Sequence, residues 1–431
     1  MIEKNGIRQM FIRSLKEGVV PATGCTEPIA VAYAAANCMS YLNDEKLIKD
    51  MQIKVSSNIM KNAMAVIVPG TGRPGLVIAA AAGIITGDPN AGLSVISELS
   101  SGDLPDIFAL ADSGKISVNV ADVDDDLYVE AIVSDDANTV RVCIAGDHTN
   151  IFLIQKNDDI IFSKDRPTAH AVSETKQFLQ TVELKDIWEF AKNEPLEEIE
   201  FMKEASVLNL NLAEDGFKND YGIKLGQSLR NSRLTKSDDD LCNDIVSTAS
   251  AASDARMGGS QLAAMSNSGS GNQGITATIP VSIVSDYVDA DEEDLIRALT
   301  VSHLTALYIH SFLPVLSAFC ATDSAAMGAA TGCVYLLTND FQEACSAIKN
   351  MVGDAAGMVC DGAGCSCAMK VASSTSSMYR AVNLAIQDIE IPSSNGLIHD
   401  SIDDTIKGLG TIVSEGFKAT DPVILDVMVN K

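Results

Sequence analysis

The amino-acid sequence predicts an α+β protein, in which an N-terminal α/β domain with a largely antiparallel sheet precedes an all-helical domain. From Ile116 to Phe162, β-branched residues alternate with polar ones and are separated by Asp- and Asn-rich turns, which indicates an antiparallel meander. After Leu184 this alternation largely disappears and helical patterns dominate. We therefore predict one domain over residues 1–180 and a second over residues 181–431.

The elements before the meander are predicted from the same periodicities. Residues 6–18 have the pattern of an amphipathic helix, and the Ala-rich segment Ile29–Leu42 also predicts a helix. Alternation between Met51 and Val68 predicts strands, and helices are expected over Leu76–Thr86 and Ala91–Leu99. Aromatic residues make up only 5% of the chain, so we expect cores of Ala, Val, Ile, Leu and Met in closely packed helices.

The charge balance excludes several classes of partner. A net charge of −27 repels nucleic acid and anionic membrane surfaces, so we expect neither as a partner. We find no signal peptide in residues 1–20 and no uninterrupted apolar stretch of about 20 residues, and we expect a cytoplasmic protein. The ten cysteines then indicate free thiols or metal ligands rather than disulfides. The oligomeric state stays open, a homodimer included.

Three cysteines lie in separate stretches of glycine and other small residues. Cys25 lies in PATGCTEP, Cys320 in FCATDS and Cys360 in MVCDGAG. Thiolates brought together from distant segments are what an iron–sulfur cluster needs, and three of them would leave one iron open as a Lewis acid. The neighbouring Cys365 and Cys367 give a spacing close to that of plant-type ferredoxins, which is a weak signal alone.

Two glycine-rich segments are candidate anion sites. Gly70–Gly75 fits the dinucleotide pattern GxGxxG but lacks a clear parallel βαβ unit around it. It can instead be a nest of backbone N–H groups for a carboxylate, or simply a tight turn. Ser266–Gly274 has the composition of a linker but lies between segments predicted to be buried, the first of them a helix over Gln261–Met265. Its hydroxyl and amide groups could therefore hold an amino acid's carboxylate.

The remaining candidates have more ordinary explanations. His303 and His310 are seven residues apart, so they share one helix face, where a histidine is usually a core residue and less often a general base. The acidic run Asp122–Asp126 lacks the Gly and Glu of a calcium loop and predicts a solvated turn. The other cysteines fall in apolar or helical runs and are expected to be small core residues: Cys38, Cys143, Cys242, Cys333 and Cys345.

Segments spread over nearly the whole chain resemble the L-cysteine desulfidase family, which is related to the bacterial iron–sulfur L-serine dehydratases. They are Pro21–Pro28, Ser57–Asn62, Val68–Gly72, Ile78–Gly83, Ser268–Gly274, Leu316–Cys320 and Gly357–Ala363. The resemblance implies a helical domain of the serine dehydratase alpha type. It also implies a [4Fe–4S] cluster held by Cys25, Cys320 and Cys360. The family's third motif usually carries a Lys before the later Gly-Cys pair, whereas this chain has Gly364-Cys365-Ser366-Cys367. The extra Cys365 leaves the ligand choice in that loop open, as does Cys367.

The same resemblance implies β-elimination of L-cysteine to pyruvate, ammonia and hydrogen sulfide, with L-serine dehydration at the same site as the alternative. An open iron would stabilise the departing anion, and a base must remove the α-proton, for which His303 is the candidate. The groups predicted to bind the amino-acid substrate are Lys61, Asn62, Gly70, Thr71, Gly72, Ser268, Gly269, Ser270 and Asn272.

Two other classes of function stay open at this point. A pyridoxal-phosphate or nicotinamide enzyme would use the Gly70 loop or a Schiff-base lysine. A non-catalytic sensor or amino-acid-binding protein would keep the cluster without turnover. Iron content after anaerobic purification and release of pyruvate separate these hypotheses from the lyase.

Overall fold

A computed structural model describes residues 4–42, 48–167, 173–232 and 240–430 of the chain. The strands are β1 (Pro21–Thr23), β2 (Asp50–Val55), β3 (Ile116–Val120), β4 (Tyr128–Ser134), β5 (Thr139–Ala145), β6 (Ile151–Lys156), β7 (Asp159–Ser163) and β8 (Ala263–Met265). The helices up to the end of the predicted meander are α1 (Lys4–Gly18), α2 (Thr26–Met39), α3 (Ser57–Ala63), α4 (Leu76–Thr86) and α5 (Leu104–Ala111).

The rest of the described chain is almost entirely helical. Its helices are α6 (Glu174–Leu179), α7 (Leu184–Asn193), α8 (Leu196–Ile199), α9 (Lys203–Lys218), α10 (Leu225–Arg230), α11 (Leu241–Met257), α12 (Gly271–Tyr287), α13 (Glu292–Ser311), α14 (Thr322–Leu337), α15 (Phe341–Asp354), α16 (Cys367–Ala385), α17 (Ile402–Thr411) and α18 (Thr420–Val429). Within the described residues, none of these helices has the length and apolar character needed to cross a membrane. The fold is thus of the mixed α+β type, with a helical C-terminal region.

The main sheet has the strand order β3-β2-β4-β5-β6-β7 and is mostly antiparallel, as predicted. Strands β4 to β7 follow one another as the expected meander. Strand β3 differs, because it pairs parallel with β2 at the edge of the sheet. A parallel neighbour requires a crossover connection, and helices α3, α4 and α5 supply it.

Closely packed small side chains cover the sheet. Helix α2 and helix α4 cross so closely that a Cβ on Gly83 would stand 2.2 Å from the carbonyl oxygen of Ala32. Alanine and glycine permit this approach, which explains how a chain with few aromatic residues fills its core. Met51, Ile53 and Val55 of β2 are fully buried in the same core.

Three short predictions differ from the structure. The alternation from Met51 to Val68 forms a strand only in β2, because α3 follows at once. The segment predicted as a helix over Ala91–Leu99 contains only the 3₁₀ turn Gly92–Ser94. Residues 263–265 form β8 rather than the end of a helix, since they pair antiparallel with β1.

Helix α1 packs with the helical region, although the predicted division at residue 180 groups it with the sheet. Phe11 and Leu15 of α1 lie in the same core as Trp188 of α7 and Tyr308 of α13. The ring of Phe11 also meets Phe178 of α6 edge-on, with 5.1 Å between ring centroids. The apolar face of this amphipathic helix is therefore buried against helices, and the sheet-containing unit begins after it.

Strands β1 and β8 join the two parts of the molecule. Pro21 pairs with Met265, and Thr23 pairs with Ala263. The chain leaving β1 leads directly to Cys25, and the chain leaving β8 leads into Ser266–Ser270 and then helix α12. Segments about 240 residues apart in sequence are thus held side by side, which positions the site described next.

Candidate active site

Four helices begin at one small cavity between the sheet unit and the helical region. They are α2, α12, α14 and α16, and Thr26, Ser270, Thr322 and Cys367 at their starts all line the cavity. A helix N-terminus carries unpaired N–H groups and a partial positive charge, so the convergence of four favours anionic groups. This gives a chain with net charge −27 a local site for anions.

Cys320 and Cys360 lie side by side on the helical wall of the cavity. Phe319 and Val359 form an antiparallel bridge. The backbone N–H of Cys320 donates to the Met358 oxygen at 2.9 Å, and that of Cys360 donates to the Ala318 oxygen at 2.7 Å. This short ladder holds together two loops 40 residues apart, and it brings together two of the three predicted cluster ligands.

Cys25 and Cys367 complete a set of four thiols around the cavity. Cys25 precedes α2, and Cys367 begins α16. Both pack in a small apolar cluster that also contains Val66 and Met257. Cys365 is not among the described residues that line the cavity. Of the two additional cysteines in the 361–367 loop, the structure therefore brings only Cys367 to the site.

The four cavity thiols are free and are candidate metal ligands. Within the described part of the chain, no three Cys, His, Asp or Glu side chains are arranged to hold one metal ion. Burial raises the pKa of the Cys25 and Cys367 thiols, and burial together with neighbouring Cys360 raises that of Cys320. All ten cysteines are unpaired. Cysteine thiolates are the usual protein ligands of iron–sulfur clusters, so the chemistry of these donors fits such a group.

Glu27 is a buried carboxylate that organises the sheet side of the cavity. Its Oε2 accepts hydrogen bonds from the Cys25 thiol at 2.8 Å and the Thr26 hydroxyl at 3.2 Å. Its Oε1 accepts from the Asn62 side-chain amide at 2.9 Å. Burial alone would raise the pKa of Glu27, but the nearby His148 ring, the Cys25 hydrogen bond and other contacts lower it below its usual value. Glu27 is therefore ionised, and both of its carboxylate oxygens accept hydrogen bonds.

Four polar side chains that line the cavity each leave one buried atom without a hydrogen-bond partner. These atoms are Asn62 Oδ1, His148 Nε2, Arg256 Nε and Gln273 Oε1. An unsatisfied buried polar atom costs about 1–3 kcal/mol, so native proteins rarely leave several together. Their convergence in one cavity favours the binding of a ligand that has both donor and acceptor groups.

The glycine-rich run at 266–274 supplies another part of the cavity wall. Ser268, Gly269, Ser270 and Asn272, which were predicted to bind substrate, all line the cavity. Gly269 accepts a hydrogen bond from the Thr26 hydroxyl at 3.0 Å, which ties the loop to the start of α2. The segment is therefore part of the site and does not act as a linker.

Gly271 is needed in this wall because Arg256 passes directly over it. A Cβ at Gly271 would stand 2.2 Å from Arg256 Nε. Any side chain at position 271 would displace the guanidinium from the cavity. Gly271, which belongs to the glycine-rich motif, therefore leaves room for the guanidinium of Arg256, which comes from α11 outside the motif.

The other predicted binding residues lie outside the cavity. The ammonium of Lys61 is buried, pairs with the Asp421 carboxylate at 2.5 Å and donates to the Cys360 oxygen at 3.3 Å. It therefore fastens α18 and the Cys360 loop to α3. Gly70, Thr71 and Gly72 form a tight turn, in which the Thr71 hydroxyl donates to the Val68 oxygen at 2.8 Å.

His303, the predicted base, lies behind the 266–270 loop and not in the cavity. It is fully buried, and burial lowers its pKa to about 3. Its Nδ1 accepts from the Asn267 amide at 3.1 Å, and its Nε2 donates to the Thr278 hydroxyl at 3.0 Å. Asn267 in turn accepts from the Ser268 hydroxyl at 2.9 Å. A neutral His303 thus supports the loop that carries Ser268.

A second, larger cavity of about 670 Å³ lies beyond the segment 313–317, which lines both cavities. It is lined by Lys176, Asp124–Asp126 and Phe417 among others, and no cysteine is among its described lining residues. Two buried atoms without hydrogen-bond partners, Asp125 Oδ1 and Ser311 Oγ, belong to residues that line this larger cavity. Because the four thiols and four other unpartnered atoms belong to residues of the smaller cavity, of about 110 Å³, we take the smaller one as the candidate active site.

Sequence reasoning missed several residues of the site. Glu27 belongs to the PATGCTEP motif, and Gln273 to the glycine-rich run, so motif membership could have found both. Arg256 lies in the last turn of α11, and His148 lies in the turn between β5 and β6. No spacing or composition distinguishes these two from surface residues.

Comparison with known proteins agrees with this architecture. The family described as serine dehydratase alpha chain matches residues 166–426. A UPF0597 protein from Latilactobacillus sakei is 63% identical over 425 residues, which covers 98% of each chain. UPF0597 proteins from Actinobacillus pleuropneumoniae and Yersinia enterocolitica are 44% and 42% identical, and the alignments cover 99% and 98% of this chain and 98% and 96% of theirs. The chain therefore belongs to the serine dehydratase alpha chain family, together with these UPF0597 relatives.

Proposed function

We propose that this protein is an iron–sulfur-dependent lyase that catalyses β-elimination of L-cysteine to pyruvate, ammonia and hydrogen sulfide. One observation carries the proposal: a single small cavity combines four thiols with buried, unpartnered donors and acceptors. Membership of a serine dehydratase family supports elimination from a small amino acid.

The unpartnered atoms match a zwitterionic amino acid. Arg256 Nε–H is a donor for the substrate carboxylate, and the N-terminus of α12 adds backbone N–H groups beside it. Asn62 Oδ1 and Gln273 Oε1 are acceptors for the α-ammonium group. A bound amino acid would therefore satisfy groups that otherwise stay buried without partners.

The thiols are the proposed ligands of a [4Fe–4S] cluster. Cys320 and Cys360 are held as a pair, and Cys25 is the proposed third arm, with Cys367 as a fourth thiol within the same cavity. When bound, a cluster with one iron not held by the protein supplies a Lewis acid for the departing sulfur.

L-Serine is the second candidate substrate. The family description names serine dehydratase, and serine differs from cysteine only in the β-heteroatom. The carboxylate and ammonium contacts proposed above are the same for both. The preference for L-cysteine or L-serine therefore depends on the leaving β-heteroatom, which is sulfur or oxygen.

Anaerobic reconstitution with iron and sulfide tests the proposal. We expect about four irons per chain and release of pyruvate with sulfide from L-cysteine, and the iron-free protein should release neither. L-Serine is assayed in parallel, and its turnover would release pyruvate without sulfide. The pyruvate yields from the two amino acids therefore show which one is preferred. Stoichiometric iron with no pyruvate from either amino acid would contradict a lyase and favour a cluster-bearing sensor.

A further inference from the structure

The proposed reaction needs a base, and one unused group in the cavity has the geometry for it. We propose that His148 is the catalytic base that removes the α-proton of the bound amino acid; this inference rests on the proposed lyase function. His148 lies between β5 and β6, is 6% exposed, and its Nε2 faces the cavity without a hydrogen-bond partner. An imidazole nitrogen with a free lone pair is what proton removal requires.

The other titratable groups of the cavity are already engaged. The Glu27 carboxylate accepts from the Asn62 amide at Oε1 and from the Thr26 hydroxyl at Oε2. Lys370 is paired with Asp361. His310 also lines the cavity, but burial and the neighbouring Lys176 lower its pKa to about 3. His148 presents a buried ring nitrogen to the cavity that no described protein group engages, and it is therefore the group we assign as the base.

The loop that carries Gly269 packs beside the His148 ring. A Cβ at Gly269 would stand 3.5 Å from His148 Cε1, which is an ordinary van der Waals distance. Gly269 has φ +78°, in the left-handed region that disfavours other residues, so the turn itself favours glycine here. The Glu27 carboxylate also lies near the ring, since the two groups interact electrostatically.

The proposed base and the paired thiols come from different parts of the fold. His148 and Cys25 belong to the sheet unit, whereas Cys320 and Cys360 belong to the helical region. β-Elimination acts at two atoms, because the proton leaves Cα while the sulfur leaves Cβ, so groups that converge from both parts suit it. Arg256 and Gln273, from α11 and α12, fix the rest of the amino acid between the two.

The proposed step removes a proton from Cα and the sulfur from Cβ. His148 Nε2 takes the α-proton, and the electron pair of the Cα–H bond becomes the Cα–Cβ double bond. The Cβ–S bond breaks with its pair on sulfur, which leaves as hydrosulfide and takes up a proton. The resulting aminoacrylate tautomerises and adds water to give pyruvate and ammonium, so no oxidant or reductant is needed.

Two substitutions and one matched control test this role. We expect anaerobically reconstituted His148→Ala and His148→Gln proteins to lose at least about 100-fold in kcat. Their iron content should equal that of the wild type, and KM should change less than threefold. His399→Ala, which replaces an exposed histidine far from the cavity lining, should behave as the wild type.

Substrate deuterated at Cα separates a catalytic from a structural role. In the His148 variants proton removal becomes the slowest step, so the isotope effect on kcat/KM should rise above the wild-type value. A kcat within threefold of wild type in both variants, or loss of iron from both, overturns the proposal. Absence of pyruvate from the wild type overturns the lyase function itself, and this inference falls with it.

Discussion

Two groups of buried cysteines in this protein share the same degree of burial and differ in their surroundings. Cys25 and Cys320 line a cavity at helix N-termini, beside polar atoms without partners. Cys38 lies in the core of the sheet unit, and Cys333 lies in the interior of α14 in the helical core. Burial raises the thiol pKa in all four, so neither burial nor pKa distinguishes a ligand from a core residue. The neighbours of the thiol make the distinction.

Substitution of a paired cavity cysteine tests this comparison with the largest expected effect. Cys320→Ala or Cys360→Ala should lose most of the bound iron and all turnover, because the two thiols form one side of the cluster site. Iron content and pyruvate release after anaerobic reconstitution measure this. The matched control is Cys333→Ala, which should keep its iron and lose only about 1 kcal/mol of stability, as for a small buried group. Full iron in Cys320→Ala would refute the assignment.

A second pair of variants sharpens the comparison within the cavity. Cys25→Ala should lose iron if Cys25 is the third arm, while Cys367→Ala should keep it. The Cys25 thiol already donates to Glu27, whereas Cys367 has only a 3.9 Å contact to the Gly362 oxygen. Iron analysis of the two proteins side by side decides the question. The reverse result would transfer the third ligand to Cys367 and free Cys25 for contact with the substrate.

Substitution of a polar residue that lines the cavity should change the kinetics and leave the iron content unchanged. Arg256→Gln removes the donor proposed for the substrate carboxylate, and kcat/KM should fall about 10- to 100-fold, the loss expected from about 1.4–2.7 kcal/mol. Iron content should stay at the wild-type level. The exposed Arg380, which pairs with Asp354, provides the control Arg380→Gln. Unchanged kinetics in Arg256→Gln would place the carboxylate elsewhere.

His303 should behave as part of the packed interior. His303→Ala leaves Asn267 and Thr278 without their hydrogen-bond partners and should destabilise the protein by about 2–4 kcal/mol. Denaturant unfolding measures this loss. Because the histidine supports the Ser268 loop without lining the cavity, kcat/KM should fall less than about tenfold. A loss of several thousandfold at unchanged stability would restore His303 as the base.

The smallest effect is expected at the glycine turn outside the cavity. Thr71→Ala removes a hydroxyl that donates to Val68, at a cost of about 1 kcal/mol or less. Its kinetics with L-cysteine should equal those of the wild type, in contrast to Ser268→Ala in the loop that lines the cavity. A raised KM in Thr71→Ala would show that the 70–72 turn does reach the substrate.

Local patterns predicted the parts of the structure that depend on nearby residues. Helix α4 has the predicted bounds, and the meander from β4 to β7 follows the alternation of β-branched and polar residues. Strand β3 is not part of the meander. It lies at the edge of the sheet, where it pairs with β2, about 65 residues earlier in the chain. The periodicity of a segment predicts whether it forms a helix or a strand. Tertiary packing decides which distant strand it pairs with.

By itself, the sequence determined which segments to expect at the candidate site: Cys25, Cys320 and Cys360 lie in glycine-rich motifs, and the structure brings them to one cavity together with Ser268–Ser270 and Asn272. Such motifs can be recognised because they follow from local backbone needs. Only the tertiary structure decided that Arg256 and His148 face this cavity while Lys61 and His303 do not. The orientation of a polar side chain depends on partners contributed by remote segments, here α18 for Lys61 and the 266–270 loop for His303, and no short-range pattern contains that information.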